Sequence, residues 1–186
     1  MNALFATAAE IQNHLKHAGE RFCFIGGVAL QRWGEPRFTR DVDLTLLCPY
    51  GEETAAVERL LAGFSPRIPD AREFALQHRV LLLRGTSGVP IDIAFGGIPF
   101  EERAVERASE FDFGEIRLLT CSAEDLVVFK AFAGRERDWA DIESIAMRQS
   151  QRMNWALIYE ELTPLAELRG GAATMNRLQR LQPSFK

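Results

Sequence analysis

The chain has few cysteines and no long hydrophobic run, and both features restrict the class of protein. Its 186 residues include only three cysteines, Cys23, Cys48 and Cys121, which lie far apart. This spacing fits neither a disulfide framework nor a zinc site, so we expect buried free thiols in a reducing compartment. No stretch is apolar for the length that a membrane-spanning helix needs. We therefore expect a cytoplasmic protein that uses no membrane.

The chain also lacks an excess of positive charge, internal repeats and low-complexity segments. Lysine and arginine total 22 against 26 aspartates and glutamates, for a formal net charge of −4. A basic surface covering the whole protein, of the kind that binds long nucleic acids, is excluded, although a local basic patch is not. Apolar residues make up 47% of the chain, which is enough for a sizeable core in one domain, or in one domain with a small helical appendage.

Hydrophobic periodicity and turn residues predict an α+β fold, with a mixed sheet flanked by helices and then a helical segment. The N-terminal periodicity favours an amphipathic helix over a signal peptide. Strands are expected within residues 21–27, 41–48, 78–96 (two strands joined by a turn at 85–88) and 115–120. Helices are expected at residues 3–18, 28–34, 52–64, 100–111 and from about 123 onward, with 71–77 either a short helix or irregular. Ser122 is the expected cap of the first C-terminal helix.

Two aspartates stand close together inside the apolar segment 41–48. Because side chains alternate between the two faces of a strand, Asp41 and Asp43 share one face, while Val42 and Leu44 point to the other. Carboxylates about 6–7 Å apart repel each other, so they need compensation by solvent, by arginine or by a divalent cation such as Mg²⁺. A frayed strand end in water would explain one such aspartate, but it explains a pair less well.

A third aspartate follows the same pattern further along the chain. Asp92 lies between Ile91 and Ile93 in an apolar segment. A pairing of this strand with the strand of Asp41 and Asp43 would bring three carboxylates to one patch. Three carboxylates on one sheet face can hold two metal ions for an in-line displacement at phosphorus.

A glycine pair, Gly26 and Gly27, follows the first predicted strand and opens a short helix. Such a turn lets backbone N–H groups approach a phosphate, although most glycine pairs at strand-to-helix turns are simple steric necessities. The pair gains meaning from Asp41 and Asp43, which follow it in the chain.

Together these residues resemble the nucleotidyltransferase superfamily, which shares its catalytic palm with DNA polymerase beta. The similarity is greatest to the small bacterial and archaeal branch that includes the AbiEii toxins. Two further motifs carry it: RFTRDVD, with Arg37 and Thr39 before the two aspartates, and FKAFAGRERDWADI, with Lys130, Arg135, Arg137, Asp138 and Asp141. The resemblance covers roughly residues 20 to 150. It implies a nucleotidyltransferase palm at 1–120 and a C-terminal helical segment at 121–186 packed on it.

The resemblance also implies the roles of the site residues. Asp41, Asp43 and Asp92 would ligate two Mg²⁺ ions, with deprotonation of the acceptor hydroxyl as an alternative role for Asp92. Lys130 would neutralise charge on the triphosphate of ATP or GTP and would share in catalysis. The implied nucleotide-binding residues are Gly26, Gly27, Arg37, Thr39, Lys130, Asp138 and Asp141.

Several of these residues also have plain structural interpretations. Lys130 would otherwise be a surface lysine, and Arg37 would form a salt bridge where the strand begins. Thr39 would hydrogen-bond within its loop. Asp138 and Asp141 would cap a helix or pair with nearby arginines. The three tryptophans suit core packing better than base stacking.

The sequence thus predicts transfer of a nucleoside monophosphate to a hydroxyl with release of pyrophosphate. The branch implies a toxin that acts on tRNA and is counteracted by a cognate antitoxin. One departure leaves an alternative open: many active members carry Ser after the glycine pair, where this chain has Val28 and Ala29. The alternatives are a non-catalytic nucleotide- or partner-binding module, or transfer to a small molecule or a protein side chain.

Overall fold

The computed structural model describes residues 2–168 and 171–182. The chain divides into two compact units, one comprising Met1–Val28 and Phe38–Cys121 and the other Ala29–Arg37 and Ser122–Lys186. The predicted segments 1–120 and 121–186 also include residue 1, residues 169–170 and residues 183–186, which lie outside the described residues. The packing of one segment on the other stays a prediction.

A mixed sheet forms the frame of the first unit, and its described residues make seven strands in the order β3-β4-β5-β2-β1-β7-β6. The pairs β2–β5 and β1–β7 are parallel, and the other neighbours are antiparallel. The strands are β1 Phe22–Phe24, β2 Val42–Leu47, β3 Ser65–Pro66, β4 Val80–Arg84, β5 Pro90–Gly96, β6 Ser109–Asp112 and β7 Arg117–Thr120. The predicted mixed sheet is confirmed.

Helices surround this sheet because each has an apolar stripe to bury. In the first helix Leu4, Ala8, Ile11 and Leu15 recur at helical spacing, and all four side chains are buried in the core of the unit. The helices are α1 Ala3–His17, α2 Gly26–Trp33, α3 Glu53–Leu61, α4 Ala71–His78 and α5 Pro99–Glu106. Helix α2 begins in the first unit and ends in the second.

The core of the first unit consists of the apolar side chains of the central strands together with those of the helices. Phe24, Leu44, Ile91 and Ile93 are fully buried in it. Cys23, Cys48 and Cys121 are buried and free, as predicted.

The described part of the second unit is helical, with α6 Ala123–Ala133, α7 Glu136–Gln149, α8 Trp155–Glu167 and α9 Ala172–Leu181. Ser122 caps α6 as predicted, because its Oγ accepts a hydrogen bond from the backbone N–H of Asp125 at 3.0 Å. Trp139 and Trp155 are buried, in agreement with a packing role. Among the residues described, no helix has both the length and the apolar character needed to cross a membrane.

Two strands differ from the expected pattern. Residues 109–111 were expected to continue a helix, but α5 ends at Glu106 and Ser109–Asp112 form the exposed edge strand β6. The short strand β3 was not predicted either. Both strands are exposed, so the period-two burial that reveals a strand is missing from them, and antiparallel pairing with a neighbouring strand decides their conformation.

Candidate active site

Three aspartates lie on or directly before the paired strands β2 and β5. Asp43 and Asp92 are register partners in this parallel pair. Asp41 lies in the bend directly before β2, and its negative charge acts on the carboxyl of Asp92. Val42 and Ile91 on the opposite face are fully buried, whereas the aspartates are only partly buried. The pairing inferred from the two sequence patterns is observed.

The glycine pair makes room for these side chains. Gly26 has φ +54°, and a Cβ atom built on it would lie 2.1 Å from Oδ2 of Asp43. A Cβ atom on Gly27 would lie 2.4 Å from Oγ1 of Thr39. Both distances are far below a van der Waals contact, so the turn accepts only glycine while Asp43 and Thr39 keep their positions.

Hydrogen bonds tie the loop before β2 to the carboxylates. The hydroxyl of Thr39 donates to Oδ1 of Asp41 at 2.9 Å. The backbone N–H of Gly27 points to Oδ2 of Asp43 at the long distance of 3.5 Å. Thr39 thus has a structural role in its loop, while Gly27 brings a backbone donor to the carboxylate patch.

Arg67 is a site residue that the sequence did not reveal. Its Nη2 lies 2.9 Å from Oδ1 of Asp92 and 3.1 Å from Oδ2, and the second contact has hydrogen-bond geometry. No spacing in the sequence connects the two residues, because Arg67 directly follows the unpredicted strand β3. An arginine beside an edge strand is too common to serve as a signal.

The environment of Asp92 disfavours its ionised form. Burial raises the pKa of the Asp92 carboxyl, Arg67 partly opposes this effect, and the negative charge of Asp41 adds to it. The pKa of the Asp92 carboxyl is therefore above its ordinary value, a perturbation that is common at functional sites.

A second set of predicted residues gathers within the helical unit around Asp141. Lys130 is 5% exposed, and its Nζ lies 2.6 Å from Oδ2 of Asp141. Arg37 binds the same carboxylate with both ends of its guanidinium, Nε to Oδ1 at 2.8 Å and Nη2 to Oδ2 at 2.7 Å. The pKa of Asp141 is lowered, because these hydrogen bonds and charges outweigh the effect of burial.

Asp138 has two of the roles considered for it. Its Oδ2 accepts hydrogen bonds from the backbone N–H of Arg135 at 3.2 Å and from Nε of Arg135 at 2.7 Å, at the start of α7. Its Oδ1 also lies 3.6 Å from Nζ of Lys130. Asp141, in contrast, pairs with Arg37 and Lys130 instead of the arginines next to it on α7.

The predicted site residues therefore fall into two sets, each within one unit. The first unit contains Gly26, Gly27, Thr39, Asp41, Asp43 and Asp92. The second contains Arg37, Lys130, Asp138 and Asp141.

The first set suits a divalent cation by its chemistry. Carboxylate oxygens on neighbouring strands are the donors that Mg²⁺ prefers, and the guanidinium of Arg67 shows that Asp92 attracts a cation. Within the described ranges, no group of three or more His, Cys, Asp or Glu side chains is arranged to hold a metal ion. The assignment of Mg²⁺ to these aspartates stays a prediction.

Solved structures of nucleotidyltransferases resemble this fold. An antigenic nucleotidyltransferase-like protein from Paracoccidioides brasiliensis is 16% identical, with a TM-score of 0.52 over 94% of this chain and 90% of that chain. The antibiotic-resistance factor ANT(2'')-Ia is 17% identical, with a TM-score of 0.52 over 95% and 96%. The lincosamide antibiotic adenylyltransferase LnuA, with lincomycin bound, is 15% identical, with a TM-score of 0.52 over 78% and 98%. The likeness establishes the nucleotidyltransferase fold.

A family model narrows this class. The model described as nucleotidyl transferase AbiEii toxin, type IV TA system, matches residues 13–171, a range that contains both sets of site residues. The chain belongs to this family of nucleotidyltransferases. No curated protein matches the chain. The resemblance to the superfamily and to its AbiEii branch is confirmed, and the family implies a nucleoside triphosphate substrate.

Proposed function

We propose that the protein transfers a nucleoside monophosphate from a nucleoside triphosphate to a hydroxyl group, with Asp41, Asp43 and Asp92 as its catalytic carboxylates. The observation that carries this proposal is the register of Asp43 with Asp92 on parallel strands, beside the turn at Gly26 and Gly27. Family membership supports the reaction class.

In this reaction the acceptor oxygen attacks the α-phosphorus of the triphosphate. A new P–O bond forms to the acceptor, the bond between the α-phosphorus and its bridging oxygen breaks, and pyrophosphate leaves. The hydroxyl proton passes to a base, which is water or, as an alternative to its role as a metal ligand, Asp92, whose pKa is raised by burial. Catalysis then depends mainly on positioning and charge neutralisation.

Asp41 and Asp43 would hold Mg²⁺ together with Asp92, and Mg²⁺ would neutralise charge on the phosphates. The chain itself supplies the positioning of these ligands. Thr39 orients Asp41 through its hydroxyl, and the absence of a side chain at Gly26 leaves space for the carboxylate of Asp43. Gly26 and Gly27 also offer backbone N–H groups to phosphate. Serine is not needed for that contact, so Val28 is free to be a fully buried core residue.

Lys130 and Arg37 would supply positive charge for the triphosphate. They share the carboxylate of Asp141, and with Asp138 and its partner Arg135 included, the cluster carries one net positive charge. Asp138 and Asp141 then act by orienting the cations and do not need to touch the nucleotide.

The acceptor we propose is RNA, and tRNA first of all. The loop that leads to the carboxylates supports this choice. Phe38 is 77% exposed, and Cζ of Arg40 lies 5.8 Å from its ring centroid. An exposed aromatic ring beside an arginine is suited to stack an unpaired base and to approach its phosphate. The family description also supports a toxin with a cognate antitoxin as its biological partner.

The test is incubation of the purified protein with Mg²⁺, each α-labelled nucleoside triphosphate in turn, and total tRNA. We expect label on RNA with wild type, none with Asp43→Asn or after chelation by EDTA, and wild-type transfer with the exposed Asp70→Asn. Label on the protein, or on a small molecule supplied as acceptor, would show that the acceptor is not RNA. Nucleotide binding without transfer to any acceptor would overturn the enzyme proposal in favour of a binding module.

A further inference from the structure

The contact of Arg67 with Asp92 places a cation on a carboxylate that the reaction needs. Both side chains are largely enclosed, with 24% of the Arg67 side chain and 28% of the Asp92 side chain exposed. The Nη2 atom of Arg67 lies within 3.1 Å of both carboxylate oxygens. Asp92 is therefore already occupied by a protein cation.

Main-chain pairing brings Arg67 to this position. Its backbone N–H donates to the carbonyl oxygen of Leu82 at 2.9 Å. Leu82 is the register partner of Asp92 in the antiparallel pair β4–β5. The preceding residues, Ser65 and Pro66, form β3 on the other side of β4. The backbone of Arg67 is therefore fixed beside Leu82, in line with Asp92 across the sheet. This differs from a surface ion pair between two long, exposed side chains.

We propose that Arg67 is a positioning residue that holds Asp92 in the absence of a divalent cation and releases it when the cation binds. The inference rests on the proposed function, in which Asp92 is a metal ligand. Arg67 then balances the negative charge gathered at Asp41, Asp43 and Asp92 while the site is empty of nucleotide. A divalent cation has to compete with this guanidinium, so Arg67 lowers the affinity of the site for the cation alone.

Isothermal titration calorimetry of the full chain with Mn²⁺, in the absence of nucleotide, tests this competition. With Arg67→Ala we expect about tenfold tighter Mn²⁺ binding. A nearby arginine changes the affinity of a carboxylate for a proton by about tenfold or more, and we expect a similar effect on its affinity for a metal cation. Arg67→Lys keeps the charge and should bind Mn²⁺ nearly as wild type does. Arg72→Ala is the matched control, since Arg72 is an exposed arginine of the same unit that pairs with Glu58 at 3.6 Å.

A purely structural role for Arg67 predicts the opposite result, since a damaged site binds the cation more weakly. Unchanged or weaker binding by a folded Arg67→Ala protein would overturn the inference, and Arg67→Gln serves in its place if the alanine variant does not fold. Adding Asp92→Asn to Arg67→Ala should remove the gain. If wild type binds Mn²⁺ and Asp43→Asn abolishes binding while Arg67→Ala changes nothing, only this inference fails. If wild type binds no Mn²⁺, the proposed metal site fails as well.

Discussion

Oδ2 of Asp43 stands 2.1 Å from the place where a Cβ atom on Gly26 would be. The aspartate and the glycine are thus a matched pair: one keeps its position only while the other lacks a side chain. The positive φ of Gly26, +54°, adds a second demand for glycine at this position.

Gly26→Ala should abolish nucleotide transfer and destabilise the fold, because Asp43 must move and the backbone is strained. Gly19→Ala is the control, since Gly19 has φ +70° with no atom within 4 Å of its Cβ position. It should show only the backbone cost of about 1 kcal/mol and retain activity. Urea unfolding and the transfer assay separate the two effects, and equal behaviour of the two variants would count against the pairing of Gly26 with Asp43.

The cluster around Asp141 should respond unequally to the loss of its members. Asp141→Asn leaves Lys130 and Arg37 without their shared carboxylate, and we expect a loss of about 3 kcal/mol in unfolding free energy. Lys130→Met should cost less, about 1–2 kcal/mol, because Arg37 still neutralises Asp141.

A double-mutant cycle measured by urea unfolding gives the coupling of Lys130 with Asp141. The double variant should be more stable than the sum of the two losses predicts. The exposed pair Arg21–Glu106 is the control, and Arg21→Ala should change stability little. Additive losses at Lys130 and Asp141 would show that their contact contributes nothing.

Asp141 should make the fold sensitive to acid. Its pKa is lowered in the folded state, with burial as an opposing effect that the bonds from Arg37 and Lys130 outweigh. A carboxyl with a depressed folded pKa contributes its stability above its unfolded pKa and loses it as the pH falls through the folded pKa. The stability difference between wild type and Asp141→Asn should therefore be constant near neutral pH and shrink below about pH 4. A difference that grows toward acid would show that the pKa is raised.

Phe38 should matter for an RNA acceptor and not for the nucleoside triphosphate. Loss of one stacked base costs about 1–3 kcal/mol, so Phe38→Ala should lower kcat/KM for RNA about tenfold, with the KM for the triphosphate unchanged. Phe38→Trp should retain activity, because a larger aromatic ring still stacks. Met147→Ala is the control, since Met147 is 73% exposed without an aromatic ring. If Phe38→Ala raises the KM for both substrates equally, the ring supports the loop instead of binding a base.

Local pattern was enough to predict much of this protein. Alternation with period two predicted one shared face for Asp41 and Asp43, and Ile-Asp-Ile placed Asp92 on a strand that pairs with that of Asp43. The glycine pair and the cap at Ser122 were visible because they depend on backbone conformation within a few residues. The family resemblance rested on the same short motifs.

The local pattern did not predict which residues pair when they are far apart in the chain. Arg67 pairs with Asp92, 25 residues away, and Arg37 pairs with Asp141, 104 residues away. The edge strands β3 and β6 were missed for the same reason, since they lack a buried face of their own. The sequence by itself determined which residues carry charge and which face each one takes, because strand and helix periods are local. Only the tertiary structure decided which cation meets which carboxylate, because sheet register and helix packing bring together residues that no spacing connects.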